Sequence, residues 1–177
     1  MIYTKKKTTQ STASKLTYTA IFAALTCILT MIIKIPVPAT QGYIHFGDIF
    51  VMLSGLFVGP GYGMIAAGAG SALADLFSGY ALYAPVTLAI KALCALTVSV
   101  TFRALSKRFD KKIPSLIIAG VLFTAVLTGG YLVFELLIYG NAAFLEVPMN
   151  IIQGASGVAG ACALYNIFSR IAARNLH

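Results

Sequence analysis

Apolar residues gather in six runs, roughly 16–33, 48–58, 61–78, 85–102, 114–139 and 148–169, with short polar or Pro/Gly-rich breaks between them. A helix needs about 20 apolar residues to cross the hydrocarbon of a bilayer, so the first run is of near-minimal length. The second stops early at Gly59, Pro60 and Gly61, which read as a sharp turn. The third, Tyr62–Ser78, is dense in small residues: Gly63, Ala66, Ala67, Gly68, Ala69, Gly70, Ser71, Ala72 and Ala74. Such residues let helix backbones approach closely in lipid. Pro85 and Pro148 suit the first turns of the fourth and sixth helices. Pro36 and Pro38 exclude helix from the long break at 34–48, and Asp48 at its end is placed to cap the second helix.

Charge orients the runs. With the N-terminus inside, Lys5, Lys6, Lys7, Lys15, Arg103, Lys107, Arg108, Lys111, Lys112, Arg170 and Arg174 all fall on the cytoplasmic side. Lys34 alone lies at the opposite border, and Lys91 is left within a helix. Retention of Lys and Arg on the cytoplasmic side is the mark of membrane insertion. The expected fold is therefore all-α: a compact integral membrane bundle of six transmembrane helices with both termini cytoplasmic. Residues 1–14 form a basic tail, and 15–177 a single six-helix domain. The first run has no small-residue cleavage site after it and is expected to be a retained helix.

Composition narrows the chemistry. The chain is 59 % hydrophobic and 10 % charged, with a mean hydropathy of +0.87. Its net charge of +8 would suggest nucleic acid in a soluble protein. Here topology and anionic inner-leaflet lipid account for it. Cys27, Cys94 and Cys162 are widely spaced in apolar runs, without metal or disulfide spacing. The chain has no phosphate-cradling GxxxxGK[ST], no HExxH and no nucleophile–base set. No cofactor and no catalytic residue is expected, and a pump would need its energy from another chain.

Ionisable groups inside a bilayer are costly and mark function by default. At a rise of 1.5 Å per residue, Asp75, Lys91 and Glu135 all lie within about 10 Å of the outer ends of their helices. Asn150 and Gln153 occupy the outer turns of the sixth. Asp75 and Glu135 approach helix C-termini, where negative charge is disfavoured. Asp75 has Lys91 as a possible internal partner, and Glu135 has none in view. Tyr43, His45, Phe46, Tyr80, Tyr83 and Tyr131 lie on the same side, with Tyr139 and Phe144 more in keeping with an interfacial belt. Carboxylates among aromatics imply a small, flat ligand carrying hydrogen-bond donors or a positive amine.

The stretch Gly42–Gly63 (GYIHFGDIFVMLSGLFVGPGYG), followed by Gly70–Lys91 (GSALADLFSGYALYAPVTLAIK), resembles the substrate-binding S component of energy-coupling factor (ECF) vitamin transporters, in the riboflavin-type branch. The likeness covers nearly the whole chain in length and span number. It implies a multi-pass protein of the bacterial cell membrane, not an enzyme, that captures a vitamin from outside. It also implies partners: a transmembrane coupling subunit (T component) and two cytoplasmic ATPases. Small residues of the first helix in an AxxxA pattern meet the coupling subunit in that family, and Ala20 and Ala24 match it. Family substrate contacts fall on regions holding Tyr43, His45, Phe46, Asp48, Tyr80, Tyr83, Lys91, Glu135, Asn150 and Gln153 here. A vitamin B6 form or a hydroxymethylpyrimidine- or thiamine-like ring leads, with riboflavin next. The competing expectation is an autonomous secondary transporter or channel using Asp75, Lys91 and Glu135 as an ion relay.

Overall fold

Local signals place most of the elements. The Ser11 hydroxyl accepts from the backbone N–H of Ser14 at 3.2 Å and caps the first helix, which therefore starts at Thr12 rather than at Leu16. The computed structural model describes residues 11–37, 42–109 and 112–174. Expectations about the tail residues 1–10, Pro38 and Lys111 lie outside the described residues.

Among the described residues the α-helices are, in order, α1 (Thr12–Ile32), α2 (Asp48–Phe57), α3 (Pro60–Phe77), α4 (Ala84–Leu105), α5 (Lys112–Tyr139) and α6 (Glu146–Arg174). A 3-10 segment, Gly140–Leu145, joins the last two. Pro60 occupies the first turn of α3 and Pro85 that of α4, where a missing N–H costs nothing. Helix α6 opens at Glu146, two residues before the expected Pro148, and the carboxylate there suits a helix N-terminus.

The break before α2 holds a hairpin. Strands β1 (Lys34–Val37) and β2 (Gly42–His45) pair antiparallel, with Ile35 opposite Ile44 and Pro36 opposite Tyr43. Each strand of a two-stranded sheet has a free edge, so Pro36 is tolerated without an N–H. Among the described residues the fold is helical, as expected, with this short hairpin added.

Helix α2 is the exception in length. Ten residues span about 15 Å, half of a bilayer's hydrocarbon. The β1–β2 hairpin precedes it directly. Among the described residues, three helical stretches are long and apolar enough to cross a membrane: Thr12–Ile32, Ala84–Leu105 and Lys112–Arg170, the last covering α5 and most of α6.

Helix α3 packs against both α1 and α4, α2 lies against α3, α4 and α6, and α5 is held between α4 and α6. Small residues make this possible. A Cβ at Gly70 would lie 2.5 Å from the Ala23 carbonyl oxygen and 3.0 Å from Thr26 Cβ, so α1 and α3 meet backbone to backbone there. The core between the helices is apolar: Phe22, Val51, Met52, Leu53, Ala66, Cys94, Val98, Leu116, Phe123 and Leu127 are all buried. Leu, Ile and Val side chains such as Ile28, Ile65, Leu93, Val121 and Ile167 cover the outside, as a lipid-facing surface requires.

Candidate functional site

Where the hairpin meets the ends of α3 to α6, polar side chains surround a narrow recess. Its walls are Tyr43 and His45 from β2, Asp75 from α3, Thr87 from α4, Tyr131 and Glu135 from α5, and Glu146, Asn150 and Gln153 from α6, with Tyr83 just before α4. Among the described residues, no lysine or arginine lines it.

Its floor is a closed polar network. Lys91 Nζ donates to Asp48 Oδ1 at 2.5 Å, and both side chains are fully buried. Gln153 Nε2 donates to Asp48 Oδ2 at 2.8 Å. Gln153 Oε1 in turn accepts the backbone N–H of His45 at 3.0 Å. The Lys91 ammonium also sits 5.5 Å from the centre of the Tyr131 ring. One network therefore ties α4, α2 and α6 to β2. Buried charges must be paired and hydrogen-bonded, and here both oxygens of Asp48 are satisfied.

This corrects two expectations. The partner of Lys91 is Asp48, not Asp75. Asp48 does not cap α2: the N-cap is Gly47, which makes no side-chain capping bond, and the Asp48 carboxylate turns to Lys91 and Gln153 instead. A residue at a helix start reads as a cap only while its tertiary partners are unseen.

The remaining carboxylates are different. Tyr43 Oη donates to Asp75 Oδ1 at 2.6 Å, which compensates a charge near the C-terminus of α3. Asp75 Oδ2 is buried without a hydrogen-bond partner, and so is Glu135 Oε2. The Tyr83 hydroxyl lies within reach of Glu135, and Glu146 is close enough to oppose its charge. Asn150 Nδ2 is a third buried atom without a partner. Aromatic rings frame these groups. The Tyr43 ring lies 4.4 Å from that of Tyr80 and 5.5 Å from that of His45, and Tyr83 packs against Phe134 at 5.3 Å. Burial, followed by the Asp75 charge, raises the Tyr43 phenol far above its usual range, so it stays a donor. Burial first, and Lys91 next, lower the His45 imidazole to about 3 against an opposing pull from Asp48, so the ring is uncharged at neutral pH.

The structure thus brings Tyr43, His45, Tyr83, Glu135, Asn150 and Gln153 to one recess. It sets four expected residues apart. Asp48 and Lys91 lie fully buried in the floor, Tyr80 stacks behind Tyr43, and Phe46 faces a separate apolar crevice with Ile35, Ile44 and Ile152. Four wall residues are absent from the expected substrate contacts: Asp75, Thr87, Tyr131 and Glu146. Two carried a legible signal, since Thr87 precedes Lys91 by four and Tyr131 precedes Glu135 by four, the spacing of one helix face. Glu146 falls in the break between the fifth and sixth apolar runs. On α1, Ala20 and Ala24 are exposed, whereas Phe22, Thr26 and Thr30 on the other side of the helix are buried.

Comparison with known proteins adds to this geometry. A family model described as "ECF-type riboflavin transporter, S component" matches residues 10–170. The "Uncharacterized protein in gap 3'region" of Pyrococcus woesei is 36% identical over 132 residues, which is 74% of this chain and 85% of that protein. A solved structure described as "Structure and mechanism of the S component of a bacterial ECF transporter" aligns with a TM-score of 0.67 at 26% identity, covering 91% of this chain and 98% of that one.

Proposed function

The chain belongs to the family of ECF-type riboflavin transporter S components, and from that premise we propose that it is the subunit that captures the vitamin for an ATP-driven importer. On this reading it is a multi-pass protein of a bacterial cell membrane with both termini cytoplasmic, and α2 is a half-length member of a six-helix bundle. The recess lies at the outer side. Transport is driven by a T component and two cytoplasmic ATPases, and the chain itself turns nothing over.

The observation that carries the ligand reading is the recess: aromatic rings around Asp75, Glu135 and Glu146, with the nearby cation Lys91 already held by Asp48. Such a site favours a small heteroaromatic molecule with donors or a positive nitrogen, and disfavours anionic or phosphorylated ligands. A vitamin B6 form or a hydroxymethylpyrimidine- or thiamine-like ring fits best, with riboflavin next. Exposure of Ala20 and Ala24 supports a contact of α1 with the coupling subunit, since neither packs inside the bundle. The ion-relay reading draws less support, because Lys91 is fixed in a saturated pair rather than between Asp75 and Glu135.

Mass spectrometry of the ligand retained through purification, followed by calorimetric titration, tests the ligand class. A carboxylate or phosphate vitamin as the retained species sinks it. In liposomes the chain alone is expected to bind without accumulating ligand, and accumulation is expected only with the coupling subunit, the ATPases and ATP. Accumulation by the chain alone, sensitive to a proton gradient, favours the secondary transporter instead.

A further inference from the structure

The carboxylates set what the ligand donates, and the opposite wall sets what it accepts. His45 Nδ1 accepts the backbone N–H of Gly47 at 3.0 Å, with the Thr30 hydroxyl at 3.4 Å. A backbone N–H can only donate, so Nδ1 must carry the lone pair, and an uncharged ring then bears its proton on Nε2. Gly47 makes this possible: a Cβ there would overlap the Thr30 hydroxyl and come within 3.0 Å of Nδ1 itself. The peptide N–H approaches the imidazole only because no side chain stands beside it.

The ring is also fixed in place. The backbone N–H of His45 is anchored by Gln153, itself anchored by Asp48 and Lys91, and its face is covered by Tyr43. Among the described residues Nε2 has no hydrogen-bond partner, and the side chain lines the recess. Asn150, 5% exposed, brings a second N–H without a partner, from Nδ2.

We propose that His45, locked as the Nε2–H tautomer, donates to an acceptor atom of the captured ligand, with Asn150 Nδ2 as a second donor. The ligand would then be two-sided. One edge presents an acceptor, an unprotonated ring nitrogen or a carbonyl or hydroxyl oxygen, to His45 and Asn150. Another presents donors or a positive nitrogen to Asp75 and Glu135. This inference rests on the capture function argued above and sharpens its ligand class. A permanently charged ring with no free acceptor meets only half of the site.

The uncharged state of the imidazole has a structural basis. Lys91 on α4 and burial oppose its protonation, while Asp48 on α2 favours it. Thr30 on α1 is neutral, Tyr43 on its own strand remains a phenol, and Asp75, Glu135 and Glu146 line the same recess from α3, α5 and α6.

The test reads the ring directly. His45 and His177 are the only histidines, so ¹⁵N-histidine labelling of a His177→Gln chain in nanodiscs reports His45 alone. The free protein at pH 6 is expected to show one protonated nitrogen, Nε2, and one unprotonated, Nδ1. Addition of pyridoxine, an aminopyrimidine alcohol, thiamine or riboflavin, in separate titrations, is expected to move the Nε2 resonance and slow exchange of its proton for each compound that binds. His45→Ala is expected to weaken that compound by about 2- to 12-fold, the worth of one neutral hydrogen bond, and His45→Gln, which keeps an N–H, by less. An imidazolium at pH 6, a proton on Nδ1, or binding with unmoved His45 resonances overturns the proposal while leaving the capture function standing. Failure of all four compounds to bind overturns the ligand class and the proposal with it.

Discussion

Lys91→Met is the sharpest probe of the floor. The substitution keeps the length and apolar stem of the side chain and removes only its charge. Asp48 would keep the Gln153 amide at 2.8 Å but lose the ammonium at 2.5 Å, and its carboxylate is fully buried. Breaking a buried pair from one side typically costs about 3–5 kcal/mol, because the remaining charge is stranded. At about 2–4 °C per kcal/mol for a chain of this size, the melting temperature should fall by about 6–20 °C. Asp48→Asn added to Lys91→Met removes the stranded charge and retains an acceptor for Gln153. The double variant should therefore recover at least half of the lost melting temperature, giving a coupling term measurable in a double-mutant cycle. With no tryptophan in the chain, far-UV circular dichroism or a thiol dye reporting exposure of the buried Cys94 is the assay in detergent. Since Lys91 does not line the recess, ligand affinity of the folded double variant should stay within about threefold of wild type, under 1 kcal/mol. A single variant melting within about 2 °C of wild type, or a double variant no better than the single, refutes the reasoning.

Glu135→Gln should remain folded and weaken ligand affinity by about 10- to 150-fold in calorimetry, the worth of a charge-assisted hydrogen bond; unchanged affinity removes Glu135 from the site. Replacing Ala20 and Ala24 with Trp should spare binding and block ATP-driven uptake, since bulk on an exposed small-residue face prevents close helix approach; equal loss of both places these residues in bundle packing instead. Gly70→Ala should lower the melting temperature by about 2–12 °C, because its methyl meets the Ala23 carbonyl oxygen and α1 must shift, at an overpacking cost of about 1–3 kcal/mol; a neutral effect would show that the α1–α3 contact is loose.

Much of the architecture could be read along the chain because apolar runs in lipid have few alternatives to helix. Small residues in α3, the proline in the first turn of α4, and the turn at Gly59 all mark features that the structure contains. The hairpin escaped because its evidence is not local. The prolines ruled out helix, but nothing such as Asn-Gly announced a turn, and the pairing of Ile35 with Ile44 is a contact between segments. The depth of α2 escaped for the same reason. Lys91 and Gln153 each lie seven residues inside their helices, about 10 Å down, and Asp48 meets both. That depth is where α2 has to begin.

Depth along a helix identified which polar groups are costly, but not which are functional. Asp48, Asp75 and Glu135 are all buried carboxylates in the same part of the molecule. What separates them is satisfaction. Asp48 has an ammonium on one oxygen and an amide on the other, so it gains nothing from a ligand. Asp75 and Glu135 each keep one buried oxygen without a partner, and Glu146 adds a like charge beside Glu135. Each buried group left without a partner costs about 1–3 kcal/mol. On the proposed reading, a ligand bearing donors or a positive nitrogen would relieve these costs together, which would couple occupancy of the recess to the stability of the helix ends around it.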